Sequence, residues 1–359
     1  MKKRNQKTSR QKKSDNSLFS YYSFSEEDAK KYPVVSKILK QLTPERIKKE
    51  IEMIQKVKLP PELQKWVREY EKVGERNEFI WKWIYSVSQT IAFPISEEQY
   101  KESLLEIKTS VLVIFGILLN DVADKFKNRY LLNELLKSIF FEKNMQLAYL
   151  NQKEKKYLLF TNKFWNSTLS KIKQYPRYKE LKDIFNYDIL QILVANQYDY
   201  LVSKHNYLVN KTEDWLYPPH TMGGMICGIL DILCSPKFDI RELNTIREIT
   251  WEAQKMARIG NWISTWEREI DESDFTSIVF ICAIDRGLLT INDLKIGNRD
   301  KIVEKIKDSK IERNILKIWD ESYKKINKLC KRIKSADVKK FPLGLKKLLI
   351  LEVSSRGLK

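Results

Sequence analysis

The sequence predicts an all-α protein, and three observations indicate this. Glycine and proline, the residues that most often interrupt helices, number only 10 each among 359 residues. Apolar residues recur at the three- and four-residue spacing of amphipathic helices over most of the chain. Hydrophobic residues make up 43% of the chain and include 9 Trp, 17 Tyr and 15 Phe. We therefore expect long helices packed around a sizeable core.

The first half of the chain divides into a tail, an extension and the start of the main domain. Residues 1–16 are basic and polar, which is typical of a disordered tail, and residues 17–74 form a helical extension ahead of a domain over 75–359. Asn77 begins an aromatic-rich helix that Pro94 ends, and Ser96 caps a long helix that runs to about Lys127. Helices are expected over 25–42, 44–57, 60–73, 77–91, 96–127, 131–141, 154–174 and 178–210.

The second half begins at a break in the helical pattern. Tyr217-Pro218-Pro219 interrupts the chain, and the paired Gly223-Gly224 follows in a segment that runs to about Cys234. Asp239 then caps the next long helix. Helices are expected over 239–270, 274–286, 292–294, 299–306, 311–333 and 338–353.

The net charge of +19 is concentrated at the two ends of the chain. Residues 1–13 contain seven Lys and Arg and no acidic residue, and residues 301–359 contain 18 basic and 7 acidic residues. The rest is nearly neutral, whereas a nucleic-acid enzyme more often carries basic residues across its working face. We therefore expect no specific nucleic-acid partner, with peripheral contact to anionic membrane through the basic ends.

The cysteine pattern and the apolar stretches favour a cytoplasmic protein. The four cysteines show no CxxC spacing and have mostly apolar neighbours, which is typical of buried free thiols in a reducing compartment. The basic N-terminus lacks the apolar segment of a secretory signal. The most apolar stretch, residues 111–119, is too short to cross a bilayer and is expected to form a buried helix.

Asn261, Thr265 and Glu269 are the strongest candidate site residues. They stand four apart in a long predicted helix, so successive members rise ~6 Å and turn by only ~40°. An amide carbonyl, a hydroxyl and a carboxylate on one helical face are hard-oxygen ligands of the kind that Mg²⁺ takes. A polar stripe on an amphipathic helix is the alternative interpretation.

A second candidate cluster ends the apolar helix that begins near Ser96. Asn120, Asp121 and Asp124 lie at its C-terminal end, where the helix dipole disfavours negative charge. The spacing of three and four residues lets their side chains converge on neighbouring ions, and a bound cation would offset the electrostatic cost. Alternatively, the cluster marks the place where the helix enters water.

These two clusters together resemble the metal motifs of class I terpene synthases. The stretch 118–124 resembles the aspartate-rich DDxxD motif with Asn120 for its first Asp, and 261–269 resembles the (N/D)DxxSxxxE motif with Trp262 for its second acid. The motifs occur in the family's order, 141 positions apart. The resemblance spans roughly residues 75–350 and implies a single large helical bundle with a central cavity. In that family three Mg²⁺ ions, or Mn²⁺ as an alternative, bind the diphosphate of a prenyl substrate.

The resemblance implies a terpene cyclase that acts on a linear prenyl diphosphate, farnesyl or geranylgeranyl diphosphate first among them. Asp121, Asp124, Asn261, Thr265 and Glu269 would then be catalytic, and the same five with Asn120 would bind metal. The family also carries an arginine that binds diphosphate upstream of its second motif, but no arginine lies between Arg177 and Arg241. The diphosphate-binding candidates in this chain are Arg258, Arg268, Lys204 and Lys211.

The reaction attributed to this family also requires a dry cavity whose walls stabilise a carbocation. The candidates for an aromatic wall are Phe115, Phe185, Tyr187, Tyr198, Tyr200, Trp81, Trp83, Trp215 and Tyr217.

Two other functions stay open at this point. A trans-prenyltransferase of the same fold would carry two DDxxD motifs, and the second motif of this chain argues against it. A non-catalytic helical protein could bind anionic membrane or RNA through its basic ends. The protein is expected to be a monomer or a homodimer.

Overall fold

A computed structural model describes residues 24–91, 97–126, 128–141 and 145–358, except for the side chains of Asp124, Lys125 and Phe141. The described residues form helices, turns and irregular segments and include no strand, which confirms the all-α prediction. The predicted tail over 1–16 and the predicted cap at Ser96 lie outside the described residues.

The helices of the first half are shorter and more interrupted than the sequence predicts. The predicted helix over 96–127 contains a 3₁₀ turn at Glu98–Tyr100 and two π-helical turns, Ile114–Leu118 and Val122–Phe126. The α-helices are α1 (Glu26–Lys31), α2 (Pro33–Lys40), α3 (Pro44–Gln55), α4 (Pro61–Tyr70), α5 (Glu78–Thr90), α6 (Lys101–Val113), α7 (Leu119–Asp121), α8 (Arg129–Phe141), α9 (Gln152–Ile172) and α10 (Tyr178–Lys204).

The helices of the second half follow the sequence prediction more closely. The predicted break after Tyr217 is a 3₁₀ turn at Pro218–Met222, and Asp239 caps the 3₁₀ turn that leads into the longest helix. The α-helices are α11 (Lys211–Leu216), α12 (Gly224–Leu233), α13 (Leu243–Asp271), α14 (Ile278–Asp285), α15 (Ile291–Ile296), α16 (Arg299–Asp308), α17 (Ile311–Cys330) and α18 (Phe341–Ser354).

Helix α13 is the centre of the structure. It packs against α12, α17, α18 and the 3₁₀ turn at Pro218–Met222. Its 29 residues include buried Trp262 and Trp266, and only part of its surface remains available to solvent. A helix buried on most sides must place its polar residues against other polar groups or against a cavity.

The N-terminal helices α1 to α4 pack on the later helices. Helix α2 contacts α17, where the Asp320 carboxylate accepts hydrogen bonds of 2.9 Å from the backbone N–H groups of Val34 and Val35. A carboxylate at a helix N-terminus compensates the positive end of the helix dipole. Helix α3 contacts α5 and α18, and α4 contacts α6 and α9. The loop between α4 and α5 reaches α7, where Arg76 forms an ion pair with Asp121.

None of the helices that the structure describes is both long and apolar enough to cross a bilayer.

Candidate functional site

A cavity of about 560 Å³ lies between α5, α6, α13 and α18. Its volume is in the range of small-molecule binding sites. One part of its wall is aliphatic and the other carries charged and amide side chains. The lining includes Asn120 from the first motif and Asn261, Thr265 and Glu269 from the second. The fold thus brings residues of the two motifs to one cavity.

The second motif faces this cavity as its four-residue spacing predicts. The Thr265 hydroxyl donates a 2.8 Å hydrogen bond to the Asn261 carbonyl one turn earlier, which leaves the hydroxyl oxygen able to accept or coordinate. The side-chain oxygen of Asn261 accepts a 3.3 Å hydrogen bond from Nη1 of Arg258. Trp262, at the position of the family's second acid, is fully buried and packs edge-on against Trp215. The replacement of the motif's second acid by Trp262 therefore affects the core and not the cavity wall.

Glu269 is the most strongly perturbed carboxyl group of the cavity wall. It is only 8% exposed, and its Oε2 atom has no hydrogen-bond partner among the described residues. Burial, and then the negative charge of Asp274, raise the pKa of Glu269 to about 8, against the opposing effects of Thr265, Arg268 and Arg258. The carboxyl group is therefore largely protonated near pH 7 unless a cation joins it.

Two further buried carboxyl groups lie within electrostatic range of Arg258. Asp199 on α10 and Asp214 on α11 each have one oxygen without a hydrogen-bond partner among the described residues. Burial raises the pKa of Asp199 to about 6 and raises that of Asp214 well above its usual range, and Arg258 opposes both shifts. The region behind the second motif therefore contains two further buried carboxyl groups, Asp199 and Asp214, besides Glu269.

The sequence predicts that the side chains of the first motif converge, but the described side chains of Asn120 and Asp121 have different surroundings. Asn120 lines the cavity, but Asp121 is buried and forms an ion pair with Arg76. The Asp124 side chain lies outside the described residues. The two π-helical turns on either side of α7 change the angle between successive side chains. Ideal α-helical spacing therefore does not describe how Asn120 and Asp121 are placed.

The cationic candidates divide into two groups. Arg258 and Arg268 line the cavity, whereas Lys204 and Lys211 are exposed and do not belong to its wall. Of the four predicted diphosphate-binding residues, this cavity therefore brings together only the two arginines. Arg76 lines the cavity as well. An isolated arginine in a loop gave no signal in the sequence, because only the packing of the N-terminal helices brings it to the first motif.

The apolar wall of the cavity is mostly aliphatic. Of the aromatic residues expected there, only Trp83 is part of the wall. Phe115 packs edge-on against Trp165 in the core, and Tyr187 is exposed. The prediction of an aromatic cavity is therefore wrong, because the aromatic residues mostly fill the interfaces between helices. The aliphatic wall is formed by Ile80, Ile84, Val87, Ile91, Leu112, Ile117 and Leu348.

The turn at Pro218–Met222 closes another side of the cavity. Gly223 follows it with a left-handed backbone, φ 66°, which an L-residue adopts only at a cost. Thr221 and Met222 line the cavity. The turn contacts α10, α13 and the π-helical turn at Ile114–Leu118. The turn that follows the predicted break at Tyr217 thus lies beside both α13 and the π-helical turn that precedes Asn120.

The comparisons with known proteins give no family. No protein-family model matches the chain, and no curated protein is significantly similar to it.

The donor set at the cavity suits a divalent cation only in part. Asn261, Thr265 and Glu269 supply three oxygen donors from one helical face. Oε2 of Glu269, which has no hydrogen-bond partner in the described part of the chain, is the atom best placed for a cation. No group of three or more His, Cys, Asp or Glu side chains in the described part of the chain is arranged to hold a metal. A cation here would therefore depend on the amide and hydroxyl oxygens as well as on Glu269.

Proposed function

We propose that the protein is a Mg²⁺-dependent class I terpene cyclase that ionises a linear prenyl diphosphate and releases inorganic diphosphate. The observation that carries this proposal is the meeting of Asn120 with Asn261, Thr265 and Glu269 in one cavity. These residues come from two motifs 141 positions apart. A polar stripe exposed to water would not require a second polar segment opposite it.

The charged part of the cavity suits a diphosphate. Arg258, Arg268 and Arg76 supply three guanidinium groups at the wall, and planar guanidinium groups pair well with phosphate oxygens. Asn261, Thr265 and Glu269 would hold Mg²⁺, which would stabilise the negative charge that develops on the departing diphosphate. The guanidinium groups would bind the remaining oxygens and orient the leaving group.

The aliphatic part of the cavity suits the hydrocarbon chain. Ile80, Ile84, Val87 and Leu112 line it, and their burial of an apolar chain excludes water from the reacting carbon. The Trp83 ring is the only aromatic face that the described wall offers to a cation. We therefore expect the shape of the aliphatic cavity wall, more than cation–π contacts, to determine which product the carbocation forms.

The test is incubation of the protein with geranyl, farnesyl and geranylgeranyl diphosphates and Mg²⁺, with hydrocarbon products analysed by mass. We expect a cyclic hydrocarbon and inorganic diphosphate from at least one substrate, and neither from the Glu269→Gln variant. Isopentenyl diphosphate is added in a parallel reaction, because a longer prenyl diphosphate there would favour the prenyltransferase alternative. No turnover under any of these conditions would contradict the proposal and leave a binding role.

A further inference from the structure

The end of α17, the loop after it and the start of α18 form a strongly basic region. Residues 323–347 contain ten Lys and Arg and one acidic residue, Asp337. Lys324 and Lys325 pair with acidic residues of the fold. Six further basic side chains are exposed and form no ion pair with the residues that the structure describes. This basic surface consists of Lys328, Lys331, Arg332, Lys334, Lys339 and Lys340. Such a concentration of one charge attracts anions.

A cavity of about 760 Å³ opens within the basic surface, between the end of α17 and the start of α18. Lys331, Lys334 and Lys339 line it, and Asp337 is the acidic residue of its wall. Apolar side chains, Ile333 among them, form another part of the wall. The cavity therefore combines a net positive charge with apolar surface, which suits an amphiphilic anion.

The loop that carries these lysines is held in place by Glu242, the residue before α13. The Glu242 carboxylate accepts hydrogen bonds from the backbone N–H groups of Lys334 and Ser335 at 2.9 and 3.1 Å, and from the Ser335 hydroxyl at 2.7 Å. The Asp337 carboxylate accepts one at 3.2 Å from the backbone N–H of Lys339. Because these bonds use backbone and hydroxyl groups, they order the loop and leave the ammonium groups available to a ligand.

An exposed leucine lies beside the lysines and indicates what kind of anion they bind. Leu343, in the first turn of α18, is 60% exposed and follows Pro342, a residue of the cavity wall. The only aromatic residue over 328–347 is Phe341, which is buried. Proteins usually bind a nucleic-acid strand with exposed aromatic rings that stack on its bases. Basic residues around an exposed aliphatic side chain are instead typical of contact with an anionic bilayer.

We propose that the basic surface docks the protein on membranes of anionic phospholipid, with a lipid phosphate in the lysine-lined cavity and Leu343 in the interfacial layer. Clusters of about four to eight basic residues are enough to bind such membranes. The alkyl stems of the lysines pack on apolar surface while their ammonium groups reach the lipid headgroups. The protein would lie on the bilayer surface, since none of the described helices is long and apolar enough to cross it.

The basic surface is next to the aliphatic side of the candidate-site cavity. Gly344, which follows Leu343, lies against the backbone of Thr90 at the end of α5. The next residue, Ile91, lines the candidate-site cavity, as does Leu348 one turn further along α18. Docking would therefore hold the aliphatic wall of that cavity close to the bilayer. Membrane binding itself does not depend on the proposed reaction, which can fail without affecting it.

The experiment is co-sedimentation of the full-length protein with vesicles of phosphatidylcholine, with and without phosphatidylserine. We expect binding to the anionic vesicles only, and weaker binding as the salt concentration rises. The triple variant Lys331→Gln/Lys334→Gln/Lys339→Gln should lower partitioning onto these vesicles about 100-fold, from about fivefold for each charge. Leu343→Ser should lower it about tenfold and leave the salt dependence unchanged, because it removes apolar contact and no charge.

Two matched controls replace exposed residues outside the basic surface. Lys295→Gln/Lys301→Gln/Lys310→Gln removes three exposed lysines that form no ion pair in the described part of the chain. Lys310 precedes α17, whose 20 residues extend ~30 Å towards the lysine-lined cavity. Ile296→Ser matches Leu343→Ser, because Ile296 is 87% exposed. Both controls should bind anionic vesicles nearly as the wild type does.

Four results would overturn the proposal. Unchanged binding in the variant of Lys331, Lys334 and Lys339 would assign membrane contact to other basic residues, such as those over 1–13, and unchanged binding in Leu343→Ser would exclude its place in the interfacial layer. An equal loss in the two lysine variants would show that net charge alone determines binding. A wild type that binds single-stranded RNA but no anionic vesicle would have RNA as its partner. All substitutions concern exposed side chains, so unfolding by denaturant should show unchanged stability.

Discussion

Asp121 and Glu269 lie in the two motifs that meet near one cavity, and the protein treats these two buried carboxyl groups in opposite ways. Asp121 is held by a bidentate arginine, whereas Glu269 has an oxygen without a hydrogen-bond partner among the described residues. A buried charge is tolerated only when it is paired or when it takes up a proton. Asp121 in the first motif is paired with an arginine, whereas Glu269 in the second motif favours its protonated form.

This difference indicates where a ligand would have most effect. At Asp121 a cation must compete with Arg76 for the carboxylate. At Glu269 a cation competes only with a proton, because the raised pKa keeps the group largely neutral near pH 7. If a cation binds in this cavity, we therefore expect Glu269 to receive it more readily than Asp121.

The largest expected effect is the loss of turnover in Glu269→Gln. If Glu269 coordinates Mg²⁺, this change should lower kcat by about 10²–10³-fold or more, as for removal of other electrostatic stabilisers of a transition state. Stability at pH 6 should be nearly unchanged, because the neutral amide replaces a largely neutral carboxyl group of the same shape. Turnover is measured with the preferred prenyl diphosphate, and stability by denaturant unfolding.

Glu312→Gln is the control for this comparison. Glu312 is also buried with a raised pKa, about 7, but its Oε1 accepts hydrogen bonds from Arg356 at 3.1 Å and from Trp266 at 2.8 Å. This variant should lose about 1–3 kcal/mol of stability and keep its turnover when folded. Turnover retained in Glu269→Gln would contradict the assignment of Glu269.

The next largest effect is on stability, in Arg76→Ala. Arg76 compensates the charge of buried Asp121, and removal of one partner of a buried ion pair costs about 3–5 kcal/mol. The double variant Arg76→Ala/Asp121→Asn should recover much of this loss, because the buried charge that Arg76 compensates is removed as well. Unfolding free energies of the two single variants and the double variant form the required cycle. Equal losses in the single and double variants would show that the charge of Asp121 is not the cause.

A smaller effect is expected in the pH dependence of stability. The unfolded chain ionises Glu269 near its usual pKa of 4.5, and the folded protein near 8. Between these values the unfolded state binds fewer protons, so the contribution of Glu269 to stability is full below pH 4.5 and falls as pH rises towards 8. From pH 6 to 7.5 the wild type should lose about 2 kcal/mol relative to Glu269→Gln.

Asp199, whose pKa is raised to about 6, remains in both proteins, so its contribution cancels in the difference. The charge of Glu269 is one cause of the raised pKa of Asp214, so part of the difference comes from Asp214. If the unfolding free energies of the wild type and of Glu269→Gln change in parallel between pH 6 and 7.5, the raised pKa of Glu269 is contradicted. If Mg²⁺ binds the Glu269 carboxylate, its addition should reduce the loss of wild-type stability at pH 7.5 relative to Glu269→Gln.

The sequence predicted the all-α class and the shared face of Asn261, Thr265 and Glu269, because both follow from the period of an uninterrupted α-helix. It did not predict how Asp121 is held, since two π-helical turns lie beside that residue and its partner Arg76 is 45 positions away along the chain. The aliphatic wall was missed for a related reason. Residue type does not show which aromatic side chains face another helix and which face a cavity.

The smallest effect, and the one that concerns both motifs at once, is expected at Gly223. Its left-handed backbone allows the turn at Pro218–Met222 to lie between the two motif-bearing segments. Gly223→Ala should cost about 1–2 kcal/mol for the backbone conformation. The added methyl group would also lie 2.5 Å from the Leu112 side chain, a cavity residue, so the turn or the wall must shift and turnover should fall.

Gly287 offers the matched control, because it has nearly the same backbone, φ 67°, and nothing within 4 Å of an added methyl group. Gly287→Ala should show a similar backbone cost in unfolding experiments and leave turnover unchanged. A fall in turnover for Gly223→Ala alone would indicate that the spacing of the two motifs, and not only global stability, depends on this turn. Equal turnover in the two variants would show that the cavity tolerates a shift of the turn or of the Leu112 side chain, because one of them must move to accommodate the methyl group.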